Sequence, residues 1–125
     1  MTRQALVIED DPDIRALVAF KLRQADFVVA EEEDGEAGLA AAADIGPDVI
    51  LLDWMMPKLS GIEVLLRLRA TDATSAIPVI MLTSRSQESE IERGFAAGAD
   101  DYIVKPFSPR ELQSRVDAIL HRTAS

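Results

Sequence analysis

Five times along this chain a short apolar run gives way to a longer amphipathic stretch. "ALVI" (5–8) leads into a helical pattern from Pro12 to Gln24, where Ile14, Leu17, Val18 and Leu22 recur at helical spacing. "FVVAE" (27–31) leads into an Ala-rich helix over 34–45. "DVILLD" (48–53) leads through a turn-rich segment into a helix around 62–71. "IPVIMLT" (77–83) precedes a helix over about 87–97, and "DYIV" (101–104) precedes a last helix that runs to about Arg122. Strands alternating with helices imply an α/β fold: a doubly wound, five-stranded parallel sheet with five helices on its two faces. Punctuation agrees with that division. Asp11 before Pro12 reads as a helix cap, and Asp34 as another. Gly46-Pro47 breaks the chain before the third strand, and Gly98 is a helix stop. "SPRE" (108–111) reads as a capping box, with Glu111 reaching back to Ser108.

The chain has 125 residues, 48% of them hydrophobic, which suits one folded domain. Its net charge of −9 argues against this domain itself gripping nucleic acid or an anionic membrane. There is no cysteine, and the only histidine, His121, lacks a partner for a His-based metal site. No apolar run approaches the ~18 residues of a membrane span. The start, "MTRQALVIEDD", turns acidic too soon for a secretory signal, so a cytoplasmic protein is expected.

Ligands of such sheets sit at the carboxyl ends of the strands, near the switch in strand order. The residues there are Glu9, Asp10 and Asp11 after the first strand, and Asp53 after the third. Thr83-Ser84 end the fourth, and Lys105-Pro106 follow the fifth. Val49 to Leu52 are all apolar, as in the one strand buried on both faces, and a carboxylate closing such a run points to function. Asp11 is a capping residue first. Asp10 reads equally as a cap, a solvated acid or a metal ligand. Thr83 and Lys105, taken singly, are ordinary strand-end and surface residues; their joint placement is what carries weight. Clustered carboxylates repel one another, and a hard divalent cation such as Mg²⁺ relieves that. A lysine and a hydroxyl on the same rim would bind an anion beside it. Together these groups suit a phosphoryl group on an aspartate.

The segments "LVIEDDPDIR", "DVILLDWMMPKLSG", "PVIMLTSR" and "GADDYIVKPFSPREL" resemble the receiver domain of two-component response regulators, most closely the OmpR/PhoB type. The resemblance covers essentially the whole chain, with a receiver over 1–122 and the start of a linker or tail at 123–125. It implies a flavodoxin-like strand order, 2-1-3-4-5. It implies that Asp53 is the phosphoacceptor. Asp10 would ligate Mg²⁺ (or Mn²⁺ in its place), with Glu9 acting directly or through water and the Met55 carbonyl as a further ligand. Thr83 would bond the phosphoryl group on activation, Lys105 would pair with it, and Tyr102 would be the aromatic switch. The Lys105-Pro106 bond would be cis. Trp54, the only tryptophan, is expected to flank the metal pocket.

The implied partners are a sensor histidine kinase and, on phosphorylation, a second copy of the chain. The dimer face would lie on helix 4, strand 5 and helix 5, with Asp100, Asp101, Glu111, Arg115 and Arg122. Ile91 stands where a basic partner for Glu111 is often found, and Glu92 and Asp117 add negative charge, so a weak dimer is expected. Ile91 and Phe95 read alternatively as core. Output would pass to a DNA-binding domain beyond Ser125; the alternative is a single-domain adaptor. Other readings fit less well. A haloacid-dehalogenase-type phosphatase needs a second acid where Met55 stands. A flavodoxin-like cofactor binder needs a phosphate loop where "EDDPD" stands. An NTPase needs GxxxxGK[ST], which is missing, so the phosphoryl group must come from a kinase or a small donor such as acetyl phosphate. A scaffold domain would neither bind Mg²⁺ nor take up phosphate.

Overall fold

The computed structural model describes residues 2–84 and 88–123. The alternation resolves into β1 (Arg3–Ile8), α1 (Pro12–Gln24), β2 (Phe27–Glu32), α2 (Gly35–Ile45), β3 (Val49–Asp53), α3 (Gly61–Ala70), β4 (Val79–Thr83), α4 (Glu88–Ala96), β5 (Asp101–Val104) and α5 (Pro109–Thr123). The sheet order is β2-β1-β3-β4-β5, with every pair parallel. This is the expected order. The chain leaves β1 toward one edge and returns to lay β3 on the other side. The carboxyl ends of β1 and β3 therefore flank the crevice at the switch point.

Side chains alternate across the pleat, so each strand feeds two cores. Val49 and Leu51 join Val18 and Leu22 of α1 and Val116 and Ile119 of α5. Ile50 and Leu52 join Ala42 of α2 and Val64, Leu65 and Leu68 of α3. Burying each such Leu or Ile side chain contributes ~1.5–3 kcal/mol. Every residue of Val49–Asp53 is buried, but so is every residue of Val79–Thr83. β3 is thus not the one strand covered on both faces, because Ile80 and Leu82 of β4 join one core while Val79 and Met81 join the other. On α1 the buried stripe is Val18, Ala19 and Leu22, while Leu17 is 43% exposed.

Strand boundaries shift where a side chain takes over the ladder's work. Asp48, expected in β3, lies outside it and accepts the Gln4 N–H at 2.7 Å. β4 starts at Val79 rather than 77, where Asp100 Oδ2 accepts the Val79 N–H at 2.8 Å. β1 reaches back to Arg3 by pairing with Phe27. The expected α4 start near residue 87 lies outside the described residues.

The caps follow local chemistry. Asp11 Oδ1 accepts from Asp13 and Ile14, and Asp34 Oδ1 from Ala37. Gly46 ends α2 at φ +60°, where a Cβ would be strained. Ser108 Oγ accepts the Glu111 N–H at 3.0 Å, but the Glu111 carboxylate lies 3.6 Å from Arg115 rather than serving the cap. A reciprocal capping box does form at α3, between Ser60 and Glu63. Ser60→Ala is expected to cost about 1 kcal/mol, read as a lower urea midpoint with unchanged slope.

Candidate functional site

β1 pairs with β3 so that Ile8 lies opposite Leu52. Glu9 and Asp53 therefore emerge side by side at the rim. One carboxylate oxygen from each of Glu9, Asp10 and Asp53 lies within 4.8 Å of the other two. Glu9 and Asp53 are buried, and Asp10 is exposed. Lys105 reaches in from beyond β5. Its Nζ lies 2.7 Å from Glu9 Oε1 and 3.0 Å from Asp53 Oδ1. Its own N–H donates to the Thr83 carbonyl at 2.7 Å, tying the lysine to the end of β4. The Lys105-Pro106 bond is cis, as the resemblance implies.

The electrostatics follow from acids crowded at a rim that buries Glu9 and Asp53 and leaves Asp10 exposed. Burial first, then the neighbouring Glu9 carboxylate, pushes Asp53 from the ordinary 3.8 up to about 6, against the lowering effect of Asp10 and Lys105. Partial burial, then Asp53, raises Asp10. Burial works to lower Lys105, but Glu9 and Asp53 outweigh it and hold the ammonium above its usual range. At neutral pH the rim thus holds ionised Asp53 and charged Lys105 in direct contact. Three oxygen-bearing acids this close form a hard donor set that fits a divalent cation such as Mg²⁺. Lys105 is the only ammonium among the described residues bonded to Glu9 and Asp53.

The other expected residues sort by position. The Met55 N–H donates to Asp53 Oδ1 at 3.3 Å, and its side chain is exposed. Thr83 is buried at the end of β4, the strand next to Asp53. Tyr102 on β5 packs edge-on against Phe95 of α4, ring centroids 5.6 Å apart, with the Arg115 guanidinium 6.0 Å from its centroid. Asp11 caps α1 and takes no part in the carboxylate cluster. Trp54 follows Asp53 directly. Its indole is buried beneath α4, where a Cβ on Gly94 would lie 3.1 Å from it, and it shares a small cavity with Thr83. That cavity is lined by Trp54, Met81, Thr83, Ile91, Phe95 and Tyr102. Phe95 is 44% exposed and Ile91 half-buried, so neither is simply core.

On the α4–β5–α5 face, the charges already pair within the chain. Asp101 Oδ1 is 3.0 Å from Arg115, which also approaches Glu111. Asp100 Oδ2 is held by Arg69 at 2.9 Å and by the Val79 N–H. Arg122 donates to the Asp100 carbonyl at 3.4 Å. Two contributors went unnoticed in the sequence: Arg69, and Arg15, whose Nη1 donates to the Glu9 carbonyl at 2.8 Å.

A family model of the response regulator receiver domain matches residues 5–117. The chain belongs to that family. This receiver is 46% identical over 122 residues to the phosphate regulon transcriptional regulatory protein PhoB of Escherichia coli K12, covering 98% of this chain and 53% of that protein. It is 44% identical over 119 residues to the transcriptional regulatory protein ResD of Bacillus subtilis 168, covering 95% of this chain and 48% of that one. The receiver thus spans about half the length of these curated relatives. Among solved structures, the chemotaxis protein CheY4 of Vibrio cholerae matches with a TM-score of 0.91 at 30% identity, covering 95% of this chain and 99% of that one.

Proposed function

We propose that this receiver is a switch set by a phosphoryl group on Asp53, delivered by a sensor histidine kinase. The observation that supports it best is the Lys105 ammonium bridging Glu9 and Asp53 at the switch point of the sheet. An ionised Asp53 oxygen attacks phosphorus, and the bond to the donor's imidazole nitrogen breaks as the new acyl phosphate forms. No proton need leave Asp53, because it is ionised above pH about 6. Lys105 then moves its charge to the phosphoryl oxygens, and the Thr83 hydroxyl donates to one of them. Glu9, Asp10, Asp53 and the Met55 carbonyl would hold Mg²⁺, with Mn²⁺ as a substitute. When bound there, the ion would supply positive charge to the transferring group. The domain is regulatory, at most assisting its own phosphotransfer and dephosphorylation.

The readout runs through Thr83 to Tyr102 and the α4–β5–α5 face. Asp100, Asp101, Glu111, Arg115 and Arg122 would pair across a two-fold axis. Each would first give up a partner within its own chain, and exposed pairs are worth only ~0–1 kcal/mol, so the dimer is weak. Output then falls to a DNA-binding domain following the receiver, itself taken to span 1–122, in a cytoplasmic regulator. No described helix is long and apolar enough to cross a membrane.

Incubation with acetyl phosphate and Mg²⁺ tests the reading. The expected product is a hydroxylamine-labile phosphoprotein whose formation EDTA prevents. A protein that takes up no phosphate, and whose melting Mg²⁺ leaves unchanged, is a scaffold instead. Thr83→Ala is expected to accept phosphate yet fail to dimerise on analytical ultracentrifugation with beryllofluoride. Normal activated dimers of that variant would remove Thr83 from the switch.

A further inference from the structure

Glu9 is held at four atoms. Its N–H donates to the Glu32 carbonyl at 3.1 Å. Its Oε1 meets Lys105 at 2.7 Å, and its Oε2 accepts the Asp11 N–H at 3.3 Å. The fourth hold is the Arg15 guanidinium on its carbonyl oxygen, at 2.8 Å. Arg15 springs from the first turn of α1, where its own N–H donates to the Asp11 carbonyl at 2.9 Å. It thus folds back from a capped, rigid helix onto the strand end that precedes it. Glu31 of β2 steadies the guanidinium from its side, with Oε1 3.7 Å from Nε, and Glu31 is itself paired with Arg23 at 3.1 Å. The Arg15 side chain is 19% exposed.

The bonded carbonyl matters because a peptide unit is planar. The Glu9 C=O and the Asp10 N–H belong to one plane, which fixes the N–Cα axis about which Asp10 turns, and the Asp11 N–H bonded to Glu9 Oε2 at 3.3 Å restrains that rotation from the other side. We propose that Arg15 is a positioning residue for the divalent-cation site. By fixing the Glu9–Asp10 peptide, it aims the Asp10 carboxylate at the position it shares with Glu9 and Asp53. This inference rests on the cation site put forward above.

Positioning and charge predict opposite signs. Arg15 is a cation close to the acidic loop, so by charge alone its removal strengthens metal binding. By positioning, its removal weakens binding, since partners that orient ligands are worth about tenfold or more in metal affinity.

The test is Mn²⁺ binding followed by the electron paramagnetic resonance of free Mn²⁺. Arg15→Ala is expected to bind roughly tenfold more weakly than the wild type. Arg15→Lys, which keeps a donor of similar reach, recovers most of that loss. Glu31→Gln, which removes the ion pair but leaves the bond to Glu9, stays within about twofold of the wild type. Melting in metal-free buffer separates the roles, because a purely structural Arg15 lowers the melting temperature without changing Mn²⁺ affinity. An Arg15→Ala protein that binds Mn²⁺ as tightly as the wild type, or more tightly, overturns the assignment. So does Glu31→Gln weakening binding as much as Arg15→Ala. A wild type that binds no Mn²⁺ overturns the cation site itself and this inference with it.

Discussion

Asp53→Asn is expected to melt above the wild type in metal-free buffer at neutral pH. The cause is the cost of keeping a carboxylate charged beside Glu9 in a buried position. The folded-state pKa of Asp53, about 6, lies above the ordinary 3.8, so the folded protein holds that proton more tightly than the unfolded chain does. The group therefore does no harm below the unfolded value. Its destabilisation grows as pH rises from 3.8 to about 6 and is complete above that. The full displacement corresponds to about 3 kcal/mol. Water at the open rim screens part of it, leaving roughly 1–2 kcal/mol, or about 3–8 °C for a domain of this size. The gap between variant and wild type should close toward pH 4 and open fully by pH 7. Added Mg²⁺ should reverse the order, because it binds the folded wild type and relieves the same repulsion. A variant that melts below the wild type at every pH would mean that Lys105 more than compensates Asp53.

Gly61→Ala is expected to cost about 3 kcal/mol, far more than the loss of any single cap. A Cβ at this position would sit 2.3 Å from the Asp53 carbonyl oxygen and 2.8 Å from the Trp54 Cα. Both are backbone atoms, so no side chain can swing aside. The Gly61 N–H also donates to the Trp54 carbonyl at 2.8 Å, which pins the start of α3 against the end of β3. Relief requires α3 to withdraw, and the carbonyl that must yield is that of Asp53 itself. The variant should therefore take up phosphate more slowly as well as unfold at lower urea. Gly46→Ala is the contrast. Open space surrounds it, and only its φ of +60° opposes a side chain, a cost of about 1 kcal/mol. A Gly61→Ala protein as stable as Gly46→Ala would show that α3 is not clamped to the strand.

The fold was legible because the periodicity is strong and the breaks are explicit. Gly46-Pro47 and the Asp11-Pro12 cap mark boundaries by covalent geometry, and both stand where expected. Asp53 was legible because an acid closing a wholly apolar run has few structural reasons to be there, while Glu9 and Asp10 gained weight only from lying on the same rim. What escaped notice depends on long side chains folding back. Arg15 looks like one more polar residue on an amphipathic helix, yet it serves the strand end before it. Arg69 looks solvated, yet it donates to Gly98, Ser75 and Ile77 carbonyls and to Asp100. Asp100 counts in the sequence as a charge for the dimer face, and these bonds show its carboxylate engaged within the chain. The Ser60 capping box hid inside a turn-rich segment where "SGIE" carries the same spacing as "SPRE".

The central claim is that Asp53 carries the phosphoryl group. Reductive trapping tests it most directly: borohydride converts an aspartyl phosphate to homoserine, and peptide mass spectrometry then finds the position. After treatment with acetyl phosphate and Mg²⁺, homoserine should appear at residue 53 and nowhere else, and Asp53→Asn should yield none. Homoserine at Asp10 or Asp11, or equal trapping in the Asp53→Asn protein, would contradict the account.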